Sequence, residues 1–144
     1  MKTKHIPPYW EHFDHDADIG IRGLAPTLEQ AFEQAAIAMT AVVADPDSVV
    51  ASKAIAIHCA APDHEFLFLD WINDLIYHMA VQDLLFGRFE VSIEDRKLTA
   101  MVYGETVDRQ KHRPAVEIKG ATMTELRVYQ NPEAMWIAQC VVDV

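Results

Sequence analysis

Phe89-Glu90-Val91-Ser92-Ile93, the turn Glu94-Asp95-Arg96-Lys97, and the return from Leu98 to Gly104 decide the fold class of this chain. The first run alternates apolar and polar residues with period two, as a strand does when one face meets a core. A polar turn and a second strand-like run then make a β-hairpin. Beyond it, Glu105 to Pro114 is polar and reads as a loop. Val116 to Lys119, Thr124 to Gln130 and Met135 to Val144 read as three further short strands, with Asn131-Pro132-Glu133 as the turn before the last.

Upstream of the hairpin the period changes. Thr27 is an N-cap with Gln30 three residues on, a capping-box spacing. Leu28, Ala31, Phe32, Ala35, Met39 and Val42 or Val43 then repeat at helical spacing, and the helix should end near Asp45-Pro46. Its polar side, Glu29, Glu33 and Gln34, should stay in water. Asp63 caps a second helix, with Phe66, Leu69, Ile72, Leu75, Ile76 and Met79 on its apolar side and an end between Met79 and Asp83. Leu84-Leu85-Phe86 either extends that helix or opens the next strand. Val49 to Ala60 is rich in β-branched residues and reads as a strand. Asp18 to Leu24 is a half-buried strand, and Tyr9 to Asp14 an extended lead-in. The expected architecture is α+β. It is a two-layer single domain over residues 1–144, with two amphipathic helices packed on mainly antiparallel β-sheet.

Composition narrows the function. The 144 residues are 51% hydrophobic, so the chain can bury a core. The net charge is -10, from 22 acidic against 12 basic residues. A protein that grips nucleic acid needs a basic surface, so direct nucleic-acid binding is not expected. No signal-peptide pattern is present, since Pro7, Pro8 and Glu11 interrupt the N-terminal stretch. No apolar run approaches the roughly 18 residues of a membrane span. Cys59 and Cys140 lack paired-thiol spacing and read as reduced cysteines of a cytoplasmic protein.

One stretch points to chemistry: Phe13-Asp14-His15-Asp16-Ala17-Asp18-Ile19-Gly20-Ile21-Arg22. Asp14, Asp16 and Asp18 alternate, with His12 and His15 nearby. Carboxylates this close repel one another unless a cation compensates, and oxygen ligands at such spacing suit calcium or magnesium. The start resembles an EF-hand loop, but the glycine comes one position late and Ala25 stands where a bidentate Glu is required. Structural turn and cation site both remain open on these residues. His64-Glu65 begins like a zinc-protease helix, but Phe68 and Leu69 stand where the second His belongs. The other histidines show no ligand spacing, and there is no phosphate-binding glycine loop or nucleophile motif. Lys111-His112-Arg113 reads as a solvated loop. The last strand runs flush to Asp143-Val144; docked in a sheet, it would hold Asp143 and the Val144 carboxylate in place as further anionic ligands.

These segments together resemble the archease family. The family's His-Thr-Ala-Asp segment and its Ile/Val-Gly-Ile-Arg strand stand here as His15-Asp16-Ala17-Asp18-Ile19-Gly20-Ile21-Arg22. Its first helix is matched by Leu28 to Met39, and its Asp-Trp-Leu-Asn-Glu-Leu-Leu-Tyr helix by Asp70 to Tyr77. Gly104-Glu105, Lys111-His112, Glu117-Ile118-Lys119 and Asp143-Val144 complete the order. The resemblance implies an accessory protein and not an enzyme: a cofactor of the RtcB-type RNA ligase of tRNA splicing and RNA repair, promoting its guanylation and multiple turnover. It also offers a second reading, a chaperone or scaffold for a tRNA-modifying enzyme such as a tRNA methyltransferase. It implies a divalent-metal site, commonly holding calcium, at Asp18, Asp143 and Val144. Asp14, His15 and Asp16 are possible additional ligands, and Lys111 and His112 possible partner contacts. The family's usual Thr is Asp16 here, a further negative charge beside the site.

Overall fold

The computed structural model describes residues 6–144. Strand β1 (Tyr9–His15) turns through Asp16-Ala17 into β2 (Asp18–Ala25), and helix α1 (Leu28–Val43) follows. After a 3-10 turn at Pro46–Ser48 come β3 (Lys53–Ala60), α2 (His64–Gln82), β4 (Leu84–Glu94) and β5 (Lys97–Thr106). A short helix α3 (Arg109–His112) precedes β6 (Gly120–Ala121), β7 (Arg127–Gln130) and β8 (Trp136–Asp143). Every pairing is antiparallel, and the expected α+β class holds. The strands divide over two sheets. One runs β1-β2-β8-β6, with β7 also on β8; the other runs β3-β5-β4.

Local chemistry explains the elements. The β4–β5 turn places Asp95 at φ 49 and Arg96 at φ 61, both left-handed. That geometry matches the twist of a two-residue hairpin. Thr27 Oγ1 accepts from the Gln30 N–H at 3.2 Å, and the Asp63 carboxylate accepts from the Phe66 N–H at 2.8 Å, so both long helices start where the caps predict. Asp83 ends α2 in the left-handed conformation and frees Leu84 to begin β4, which settles the ambiguous Leu84-Leu85-Phe86 run.

Both helices meet both sheets. Gly23 of β2 lets α1 approach closely, because a β-carbon there would strike the Ala31 carbonyl and the Ala35 nitrogen. On its other side, Thr40 Oγ1 donates to the Phe86 carbonyl of β4 at 2.7 Å. Trp71 Nε1 of α2 donates to the Phe32 carbonyl at 3.1 Å and joins the helices in the core. The ring of Trp71 is fully buried; truncating a buried aromatic to alanine costs about 3–5 kcal/mol. Asn73 and Glu65 carry α2 onto the first sheet, holding the Ala121 and Val128 backbones.

Four expectations need correction. Phe66 is 40% exposed, and the buried face of α2 is Leu67, Phe68, Trp71, Ile72, Leu75 and Ile76. Glu33 is half-buried, not left in water, and accepts from the Val91 N–H at 2.8 Å. Tyr9–His15 is a full strand paired with β2. Val116 to Lys119 joins no ladder; it crosses the surface, its neighbour Ala115 donating to the Val43 carbonyl and Lys119 to the Asp143 carbonyl, each at 2.8 Å. The cysteines are free, as expected. Among the described residues no helix is long and apolar enough to cross a membrane.

Candidate metal centre

Strand register builds the site. Ile19 of β2 stands opposite Val142 of β8, so the next residues outward, Asp18 and Asp143, face one another at the end of the sheet. On β1, His15 stands opposite Asp18. Residues directly opposite in an antiparallel pair share a face. His15, Asp18 and Asp143 therefore form one row across three strands, on the face turned away from α1. The Val144 N–H donates to Asp18 Oδ1 at 3.4 Å, a long contact that ties the last residue to the start of β2. The Lys119 N–H holds the Asp143 carbonyl at 2.8 Å from the far side. The second strand of the hairpin and the central strand of the sheet thus fix residues that lie at opposite ends of the sequence.

The remaining acids fall away from this row. Asp14 stands opposite Ile19, which puts it on the face toward α1. Asp16 occupies the hairpin turn at φ 53, is 94% exposed, and lies 3.9 Å from His15 Nδ1. Among the described residues, no three His, Cys, Asp or Glu side chains converge at metal-binding distance. The candidate donors at this end of the sheet are Asp18, Asp143 and the Val144 main chain. No Lys, Arg or His side chain lies within 4.0 Å of the Asp18 or Asp143 carboxylates among the described residues. Two like charges opposite one another destabilise the strand ends unless a cation bridges them. The set is all oxygen, partly open to water, and supplies fewer ligands than the six to eight calcium takes, so solvent would complete the shell. Hard donors with flexible geometry fit calcium better than a strict octahedral ion.

A second carboxylate is arranged differently. Glu105 Oε2, at the end of β5, accepts from Lys111 Nζ at 2.7 Å, from the Val50 N–H at 2.7 Å and from His112 Nε2 at 3.0 Å. The Asp108 N–H donates to His112 Nδ1 at 2.9 Å, so that nitrogen accepts and the ring proton sits on Nε2, aimed at Glu105. The Lys111 ammonium, then the Val50 N–H, then His112 hold the Glu105 carboxyl down at about 2. His112 is only 5% exposed and latches the α3 loop to β5. Lys111, 39% exposed and ion-paired, remains at the surface. The sequence shows both segments but not that they close on each other across α3, because the loop's path follows from the buried histidine and not from periodicity.

The archease protein family matches residues 10–144, from the start of β1 to Val144. This chain belongs to the archease family. Protein archease of Pyrococcus furiosus is 37% identical over 139 residues, covering 94% of this chain and 98% of that one. Protein archease of Sulfolobus acidocaldarius is 36% identical over 137 residues, with the same coverage. The solution structure of Methanobacterium thermoautotrophicum protein 1598 superposes with a TM-score of 0.76 at 25% identity, over 94% of this chain and 98% of that one. The crystal structure of an archease from Thermotoga maritima, described as a possible chaperone, has a TM-score of 0.57 at 17% identity and covers 92% of this chain and 94% of that one; it shares the fold. The archease match spans both the Asp18–Asp143 row and the Glu105 latch.

Proposed function

We propose that this archease-family chain is a cytoplasmic accessory protein, not an enzyme, that binds a divalent cation and promotes guanylation and multiple turnover of an RtcB-type RNA ligase in tRNA splicing and RNA repair. The observation that carries the reading is the placement of Asp18 and Asp143 one step beyond the Ile19–Val142 pair at the end of β2 and β8, with no cationic neighbour within 4.0 Å among the described residues. Asp18, Asp143 and the Val144 main chain would hold the ion, calcium by donor chemistry. Bound there, the ion supplies positive charge at a rigid sheet edge. The residues' own part is to hold that charge in place: β8 is the central strand of its sheet, and Lys119 pins the Asp143 carbonyl. A net charge of -10 favours docking on a basic protein over binding RNA directly.

The test is ligase guanylation followed with labelled GTP and manganese, adding this chain at sub-stoichiometric ratios to the ligase from the same organism. The expected result is a faster reaction and sustained turnover, both lost in Asp18→Ala and Asp143→Ala. An unchanged guanylation rate with folded wild-type protein sinks the reading.

A further inference from the structure

The outer edge of β3 is open, and its surroundings select what can pair with it. The Glu94–Lys97 pair flanks the two-residue β4–β5 turn, so Lys97 exchanges hydrogen bonds with β4. Alternation then turns Leu98, Ala100, Val102 and Gly104 toward β3, where they meet Cys59, Ile57, Ile55 and Lys53. The N–H and C=O groups of Ala54, Ala56, His58 and Ala60 consequently point away from the sheet. All four residues are exposed, and among the described residues no hydrogen bond reaches these groups. An unpaired edge of this kind is a template for another strand. The opposite edge of the same sheet is closed, since Glu33 takes the Val91 N–H and Thr40 the Phe86 carbonyl.

A cleft of about 460 Å³ lies beside the open edge, between His58, Cys59 and Ala60 on β3 and Asp70, Asn73 and Asp74 on α2. Asn73 is used up by both polar groups of Ala121. Asp70 and Asp74, one helical turn apart, have no Lys or Arg partner among the described residues; only His78 lies 3.9 Å from Asp74. Their field reaches across the cleft: after burial, Asp74 and then Asp70 hold the Cys59 thiol up at about 11.

We propose that the β3 edge is a docking site for an extended, basic segment of a partner protein, which adds as a strand beside β3 with its cationic side chains on Asp70 and Asp74. Main-chain pairing supplies affinity and the side chains over the cleft supply selectivity, the general logic of strand addition. A second copy of this chain is the wrong occupant. Antiparallel pairing of two β3 edges would bring together two sets of Asp70 and Asp74, on chains each carrying -10. This site involves neither the Asp18–Asp143 row nor the latch, so it stands or falls apart from the cation reading.

The probe is a short synthetic peptide alternating lysine and valine, with a glutamate–valine peptide as control, added to the whole protein without ligase or calcium. Amide exchange by NMR should slow at Ala54, Ala56, His58 and Ala60 with the basic peptide only, and binding should weaken with salt. Asp70→Asn with Asp74→Asn should weaken binding at least about tenfold. Ala56→Pro should abolish it, because proline at an outward-facing edge position leaves the β3–β5 ladder whole and removes a docking donor. If Ala56→Pro does not fold, the double Asp variant alone decides. Equal binding of the acidic peptide, unchanged binding by either folded variant, or protection elsewhere overturns the proposal. So does concentration-dependent protection of the same amides without peptide, which would place a second copy there.

Discussion

Glu105 and Asp143 sit at comparable places, each near the end of a long strand, and their surroundings are opposite. Glu105 is surrounded by donors: an ammonium, a main-chain N–H and a histidine ring, all on one oxygen. Its charge is answered within the chain, and its effect is to fasten the α3 loop. Asp143 faces Asp18 with no cation in reach among the described residues. A charge already answered has little to offer a metal ion, whereas a pair left unanswered gains from one. The difference separates a carboxylate whose charge is answered within the chain from a neighbouring pair whose charges are not.

The largest effect should come from the latch strand. Gly104 precedes Glu105, and a β-carbon there would strike the Leu85 carbonyl and the Phe86 backbone. Since the obstacle is backbone, Gly104→Ala should cost about 4 kcal/mol or more in urea unfolding, at the far tail of point-mutant effects. A loss below about 1 kcal/mol would show that β4 can move aside and that the latch is soft.

The next experiment crosses the two regions. His112→Ala removes a buried ring that satisfies Asp108 and Glu105, and should cost about 1–3 kcal/mol. Calcium should still raise its thermal midpoint, because ligand binding to the native state stabilises it. Asp143→Ala, at an exposed position, should change metal-free stability by less than about 0.5 kcal/mol, yet lose the calcium-induced rise. A calcium titration giving Asp143→Ala the wild-type shift would falsify the site as drawn.

Acid should act on the latch first. Glu105 titrates at about 2 in the fold against an ordinary 4.5, so its contribution is present above 4.5 and is lost as pH falls toward 2. Glu105→Gln should flatten the stability curve across that window. A wild-type curve already flat there would mean that Lys111 and His112 leave the carboxylate as free in the fold as in the unfolded chain.

Much of this was legible in the sequence, for reasons that also mark the limits. The 89–104 hairpin announces itself because one face is buried and the other wet, so period two is written into the residues. Asp18, Asp143 and Val144 come from the family resemblance and not from any pattern of their own, and the β2–β8 register is what sets the two strand ends side by side. The α2 face is hard to read from periodicity because both sheets press on that helix: with Leu67, Phe68, Trp71 and Ile72 all buried, its apolar residues form no narrow stripe. Charged Lys111 and Arg113 on either side make His112 read as part of a solvated loop, whereas hydrogen bonds to Glu105 and to the Asp108 N–H hold its ring inside. Val116 to Lys119 has strand composition but finds the β8 edge taken by β6 and β7.

The smallest expected effect tests a third carboxylate against the other two. Glu33 on α1 is half-buried, and burial is the first cause raising its pKa above 4.5; Glu29 and Glu90 add to this, while the Val91 N–H opposes it. The sign is the reverse of that for Glu105. A carboxyl with a raised folded pKa contributes fully below 4.5, where it is protonated in both states, and loses that contribution as pH rises through its folded value. Glu33→Gln keeps an oxygen for the Val91 N–H and removes the buried charge. It should raise the unfolding free energy from urea titration at pH 7 by less than about 1 kcal/mol, discounted because the group still touches solvent. Below pH 4 the variant and wild type should coincide, within the precision of the fit. A lower midpoint at pH 7 would reverse the assignment: the ionised oxygen would then hold the β4 edge more strongly than burial penalises it, placing Glu33 beside Glu105 among the answered charges.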